Sequence, residues 1–363
     1  MKVACVVGAR PNFMKIAPIV DAMSRADNLD PFLIHTGQHY DEIMSKVFFE
    51  DLGMPRPDVY LGIGSDSHTR QTARIMTDFE KLMEEHKPDY VLVVGDVNST
   101  LAASLVASKL RVRLGHVESG LRSHDRDMPE EINRLVTDAI SDDLYTSCAD
   151  AAPNLRKEGV PEEKIFFVGN VMIDSLVKHR ERSRESSILE DLGVDSKGYA
   201  LVTLHRPSNV DVPETFQGIL EALGDLSQEK PVLFPIHPRT RKRIQEFGLE
   251  SKLNQYPNLR LEEPKGYLDF LRLMDNAALV LTDSGGIQEE TTFLSVPCLT
   301  LRLNTERPVT VDEGTNTLVG VDPEAIRSAG KKALTGDAKK GTIPELWDGK
   351  ASERIVDILS RFA

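Results

Sequence analysis

Short apolar runs alternate with helix-length stretches along almost the whole chain, at residues 2–7, 31–35, 90–94, 113–117, 144–146 and 165–168, then again at 199–204, 231–236, 258–261, 277–281, 298–301 and 317–319. Strands separated by helices pair in parallel, because a parallel neighbour needs a crossover long enough to hold a helix. The alternation recurs on either side of a polar middle. The expected fold class is therefore α/β, with two Rossmann-like doubly wound domains facing across a cleft. Open sheets of this kind bind ligands beyond the carboxyl ends of their strands, so the residue following each apolar run carries most of the functional information.

At 363 residues the chain exceeds the ~250–300 at which one core stops growing. We expect one domain over residues 1–170, a second over 171–345, and a last helix within 346–363 that packs back on the first. Residues 178–187 are strongly charged, which places a linker between about Gly169 and Asp195. The last helix carries Ile355, Ile358, Leu359 and Phe362 on one face and must dock.

Charge excludes several classes of partner. With a net charge of −13 and no Lys/Arg-rich run interleaved with aromatics, the chain is not expected to bind nucleic acid or anionic lipid. No apolar run approaches the ~20 residues of a membrane span, and residues 3–7 are too short for a secretory signal, so a cytoplasmic protein is expected. Cys5, Cys148 and Cys298 form no CxxC pair and read as core thiols. His35 and His39 straddle Gly37, which removes helical metal-ligand spacing; no metal and no cofactor are expected.

The octet Asp283-Ser-Gly-Gly-Ile-Gln-Glu-Glu290 directly follows the run 277–281. Gly285 and Gly286 have no Cβ to hold an anion off the backbone, and the free amides of the next helix point at it. Glu289 and Glu290, one turn on, can accept vicinal hydroxyls, so the octet suits a nucleoside diphosphate. Elsewhere Gly8-Ala-Arg-Pro11 turns the first strand into a helix with proline at its start, placing Arg10 at a positive helix end and Lys15 about a turn inside. Most such cations are merely solvated. Asp96 and Glu118 each end a strand run, and Glu130 opens a helix. Asp96 could instead cap a helix, and Glu130 or Glu131 could simply offset its dipole. Three acids on one rim would raise one another's pKa values. His205-Arg206 and His237 end strands in the second half, where a single His more often serves a local hydrogen bond.

Taken in order, Gly8-Ala-Arg-Pro11, Thr36-Gly-Gln-His39, Gly95-Asp96, Gly115-His-Val-Glu-Ser-Gly-Leu-Arg122, Pro129-Glu-Glu-Ile-Asn-Arg134, Val168-Gly-Asn170, Thr282 to Glu290 and Asn304-Thr-Glu-Arg-Pro308 resemble the non-hydrolysing UDP-N-acetylglucosamine 2-epimerases. The resemblance implies the GT-B arrangement, a homodimer, and interconversion of UDP-N-acetylglucosamine and UDP-N-acetylmannosamine without metal or nicotinamide. By motif, Arg10, Lys15, His205, Ser284, Gly285, Gly286, Glu290 and Arg307 match its UDP-binding set, and Phe270 its uracil contact. Asp96, Glu118 and Glu130 match its catalytic carboxylates, with Lys15 and His205 beside them. Gln38, His39, Arg70, Gln71, Arg206 and His237 match part of the site at which bacterial members bind a second substrate molecule as activator, although Asp41 stands where Gln is common.

Two departures are visible. Ser119 replaces a usual Ala, and Pro207-Ser-Asn209 replaces a usual Glu after His205-Arg206, a change expected to loosen Arg206. The rival readings are a hydrolysing epimerase, which would release N-acetylmannosamine and UDP, a GT-B glycosyltransferase, which would need an acceptor, and a nucleotide-sugar sensor without turnover.

Overall fold

The computed structural model describes residues 1–37, 53 and 56–363. The chain divides into two compact units, one of Met1–Lys178 with Glu345–Ala363, the other of His179–Pro344.

In the first unit β1 (Lys2–Val7), β2 (Asp30–His35), β3 (Val59–Tyr60), β4 (Tyr90–Val94), β5 (Arg113–Ser119), β6 (Asp143–Thr146) and β7 (Ile165–Phe167) form one parallel sheet in the order β3-β2-β1-β4-β5-β6-β7. Every residue of β4 is fully buried, as expected of a central parallel strand covered on both faces. The helix Asn98–Leu110 that follows β4 buries Ser99, Thr100, Ala102, Ala103 and Ser104; such small side chains let a helix approach closely. Strand order reverses between β1 and β4; the turns after these two strands carry Gly8 to Arg10 and Gly95-Asp96, and Glu118 lies near the end of β5.

The second unit repeats the plan. Strands β8 (Ala200–Thr203), β9 (Val232–Pro235), β10 (Leu259–Glu262), β11 (Leu279–Thr282), β12 (Cys298–Thr300) and β13 (Asn316–Leu318) are ordered β10-β9-β8-β11-β12-β13, again all parallel. Its core gathers Phe216, Ile219, Leu223, Phe234, Leu279 and Leu281 between the sheet and its helices. The reversal falls between β8 and β11, the strands that lead into His205-Arg206 and Asp283-Ser284.

Each apolar run in the sequence is a strand. The segment read as a linker is not a loop: it holds the helices Val171–Ser183 and Ile188–Leu192. The division at Lys178/His179, rather than at 170/171, falls inside the first of these. Its early residues are bound in the first unit, where Asp174 accepts from Ala351 N at 3.1 Å and Ser352 N at 2.7 Å. Its end is bound in the second, where Arg180 donates two hydrogen bonds to Asp275 at 3.1 and 3.0 Å. Charge here marks solvated faces between anchor points. The helix Ala351–Leu359 belongs to the first unit and packs on the helix Arg10–Met23. Cys5, Cys148 and Cys298 are buried free thiols. Among the described residues no helix is long and apolar enough to cross a membrane.

Candidate functional site

In the first unit the loop after β1 is set by Asn12, which accepts from Ala9 N at 3.1 Å and donates to Val94 O at 2.8 Å, tying the helix start to the end of β4. One turn further, Lys15 Nζ forms an ion pair with Glu118 Oε2, and both side chains are over 90% buried. Removing either partner of such a pair strands a charge, at a cost of about 3–5 kcal/mol. Gly95 makes room for the pair. It has φ +66°, and a Cβ there would lie 3.1 Å from Lys15 Nζ and 3.4 Å from Glu118 Oε2.

Glu118 itself sits at φ +72°, where β5 shifts register against β6 between Val117 and Ser119. A non-glycine residue in the left-handed region costs energy and is held there only by its surroundings. The bulge re-aims the Glu118 side chain toward Lys15, departing from simple strand alternation.

Asp96 is not the N-cap residue of the helix that follows; Val97 occupies that position. Its carboxylate instead accepts two hydrogen bonds from Arg134, from Nε at 3.0 Å and Nη2 at 2.6 Å, and its backbone carbonyl accepts from Asn133 at 2.8 Å. Arg134 also pairs with Glu131 at 2.6 Å. Glu131 accepts further from Ser123 N, Ser123 Oγ and His124 N. Burial pushes its carboxyl up, but those donors and Arg134 outweigh it and hold the group below its ordinary value. The adjacent acids thus separate: Glu131 fixes a turn, whereas Glu130, the second residue of the helix Pro129–Ile140, has no side-chain partner among the described residues. Glu118 and Asp96 each face a cation, Lys15 and Arg134 respectively.

The second unit carries the octet read from the sequence as an anion cradle. Ser284 precedes the helix Gly285–Phe293 with extended backbone, and its hydroxyl makes no cap hydrogen bond. A Cβ at Gly285 would lie 2.5 Å from Arg307 Nη1 and 2.6 Å from Glu306 Oε1, so only glycine fits against this ion pair. Arg307 also pairs with Glu289 at 2.8 Å, and Arg302 with Glu306 at 2.7 Å. Glu289 therefore steadies Arg307, while the buried Glu290 lies 3.4 Å from the Tyr267 hydroxyl. Phe270 is on the same helix, Tyr267–Asn276, and is half-buried. Gly286 lies in the first turn behind Gly285.

Asp283 organises the adjacent rim. Fully buried, it accepts from His205 N and Arg206 N, pairs with His205 Nδ1 at 2.9 Å, and accepts from Asn209 at 3.2 Å. Burial opposes its ionisation, yet His205 and these amides hold its carboxyl below the ordinary range. The His205 ring stays more than half exposed. Arg206 Nε donates to Asp283 O at 3.0 Å, so this residue is anchored rather than loosened, with Asn209 bound in the same cluster. His237 caps the helix Pro238–Glu246; burial first, then the positive neighbours His205 and Arg239, lower its pKa.

Of the residues matched to an activator site, Gln38 and His39 lie outside the described residues, as does Asp41. Arg70 is exposed, whereas Gln71 is buried and bonded to Gly64 O and Asn98. Arg206 and His237 stand in the second unit. Arg10 opens its helix, and its side chain is outside the described set.

The family profile described as UDP-N-acetylglucosamine 2-epimerase matches residues 21–360. A UDP-N-acetylglucosamine 2-epimerase of Methanocaldococcus jannaschii is 45% identical over 365 residues, covering 99% of each chain. A UDP-2,3-diacetamido-2,3-dideoxy-D-glucuronate 2-epimerase of Pseudomonas aeruginosa is 40% identical, covering 99% of this chain and 100% of its own. Among solved structures, that of the Methanocaldococcus jannaschii UDP-GlcNAc 2-epimerase in complex with UDP-GlcNAc and UDP superposes with a TM-score of 0.92 at 44% identity, over 99% of this chain and 100% of that one. By this full-length agreement in sequence and fold, the chain belongs to the UDP-N-acetylglucosamine 2-epimerase family.

Proposed function

We propose that this enzyme reversibly interconverts UDP-N-acetylglucosamine and UDP-N-acetylmannosamine by eliminating UDP to a 2-acetamidoglucal and adding it back. The carrying observation is the buried Lys15–Glu118 pair beside Gly95, a carboxylate held in left-handed backbone at the end of β5. The C2 hydrogen of the sugar has no adjacent carbonyl, so its removal near neutral pH needs another source of acidity. Departure of UDP supplies it: oxocarbenium character at C1 acidifies C2–H.

The residues divide between these tasks. Arg10, Lys15, His205, Ser284, Gly285, Gly286 and Arg307 steady the diphosphate as its charge grows. Glu290 takes the ribose and Phe270 the uracil. Asp96, Glu118 and Glu130 move the proton, since inversion at C2 asks for acid–base groups on both faces of the sugar. The Pseudomonas relative is named for a different UDP-2-acetamido sugar, and the same C2 chemistry would serve it. A homodimer belongs to the proposal as well.

The test is incubation with UDP-N-acetylglucosamine and identification of the product by NMR. Formation of UDP-N-acetylmannosamine supports the proposal. Stoichiometric release of UDP and free N-acetylmannosamine would favour the hydrolysing alternative, and binding without turnover would favour a sensor.

A further inference from the structure

A buried histidine–carboxylate contact lies behind the two strand-end acids and touches no group that the proposed chemistry uses. His116, on β5, is fully buried. Its Nδ1 lies 2.6 Å from Asp138 Oδ1 and its Nε2 lies 2.8 Å from the carbonyl oxygen of Gly95. A carbonyl oxygen can only accept, so Nε2 carries a proton. Asp138 Oδ2 already accepts from Gly120 N at 3.0 Å and pairs with Arg122 Nη2 at 2.7 Å, which is the setting of an ionised carboxylate. With acceptors on both sides, the ring must donate from both nitrogens.

We propose that His116 is held as an imidazolium by Asp138, and that this pair is a positioning element that fixes the backbone on which Asp96 and Glu118 stand. The geometry is specific. His116 Nε2 grips the carbonyl of Gly95, the residue before Asp96, and Gly95 N donates to Val117 O at 3.1 Å, the residue before Glu118. Asp138 takes the amide of Gly120, two residues beyond Glu118. One charged pair thus ties the ends of β4 and β5 together around the left-handed Glu118 and the left-handed Gly95.

Asp138 stands one turn beyond Arg134, which holds the Asp96 carboxylate, so a single helix, Pro129–Ile140, clamps both acids. The charged groups facing the pair are Arg122, on the Asp138 side, and behind it Glu158, which accepts from Arg122 at 2.9 and 2.7 Å. Burial alone would push the Asp138 carboxyl up; His116 and Arg122 hold it below its ordinary value.

This inference rests on the proposed proton transfer, and its test separates the two. Histidine-selective 15N NMR of the whole enzyme, assigned with His116→Gln, reports the protonation of both ring nitrogens. With acceptors at both nitrogens, we expect both to carry protons at pH ~8. A ring with one bare nitrogen at that pH overturns the proposal whether or not the enzyme turns over. For Asp138→Asn and His116→Gln we expect kcat to fall at least ~10-fold with KM changed less than ~3-fold, the signature of displaced acids rather than lost binding. A folded Asp138→Asn enzyme with unaltered kcat also overturns it. If the wild-type enzyme shows no exchange at C2 while His116 is doubly protonated, the proposed reaction fails and the ion pair stands.

Discussion

Arg134 donates two hydrogen bonds to the Asp96 carboxylate, at 3.0 and 2.6 Å, and a third to Glu131 at 2.6 Å. A planar guanidinium can serve both acids at once; an ammonium cannot reproduce that fork. Arg134→Lys should therefore leave UDP affinity within a few-fold and lower kcat by about 10- to 100-fold. Asp96→Asn, which keeps the size of the side chain but not its basicity, should lower turnover by at least ~100-fold while UDP still binds. Calorimetric titration with UDP alongside steady-state kinetics checks both, and near-normal turnover in Asp96→Asn removes that residue from the mechanism.

Neighbouring glutamates should behave oppositely. Glu131 is bound by Ser123, His124 and Arg134, so Glu131→Gln should destabilise the protein by about 3 kcal/mol, the scale for breaking a buried pair. Glu130→Gln should leave the melting temperature nearly unchanged and depress kcat. Thermal denaturation and kinetics on the two variants distinguish them, and a reversed pattern would exchange their roles.

The cradle predicts a steric phenotype. A Cβ at 285 would meet Arg307 and Glu306 at 2.5 and 2.6 Å, so Gly285→Ala must displace the Arg307 side chain. UDP dissociation constants should rise at least ~10-fold, with a smaller effect on folding. Unchanged UDP affinity would place the diphosphate elsewhere.

Much of this was legible in advance, for identifiable reasons. Central parallel strands are buried on both faces and read as continuous apolar runs, so β4 and β11 stand out, whereas β3, a two-residue strand, carries no such run. The strand-end rule singled out Asp96, Glu118, His205 and the octet as candidates, and each does stand at a strand end. What the sequence hides is pairing. Nothing in residues 116 and 138 announces that a helix carries one to the other, and Glu130 and Glu131 are indistinguishable until the Ser123 turn closes on one of them. Arg134 left a usable signal, lying three residues after Glu131, the acid it pairs with on the same helix face.

Ser119 illustrates a departure with a physical consequence. Its hydroxyl is buried and makes no hydrogen bond among the described residues. An unpartnered buried hydroxyl costs about 1–3 kcal/mol, so Ser119→Ala should stabilise the fold by about 1 kcal/mol and raise Tm by ~2 °C. A lower Tm would mean that the hydroxyl is satisfied in solution.

Acid sensitivity follows from Asp283. Although burial opposes its ionisation, His205 and the surrounding amides hold its folded pKa below the unfolded value of about 4. Its contribution is therefore complete above pH ~4 and is lost as the pH falls through the folded value. Asp283→Asn should be less stable at pH 7 by about 3 kcal/mol and show a shallower loss below pH ~4. Denaturant titrations at several pH values check this, and parallel curves for the two proteins would contradict it.

Solvent exchange at the sugar tests the proposed chemistry most directly. The purified enzyme, incubated with UDP-N-acetylglucosamine in D2O and followed by proton NMR, should place one deuterium at C2 of the nucleotide-linked mannosamine and, on approach to equilibrium, of the recovered glucosamine. Product that retains its original C2 hydrogen would contradict proton removal by the strand-end acids.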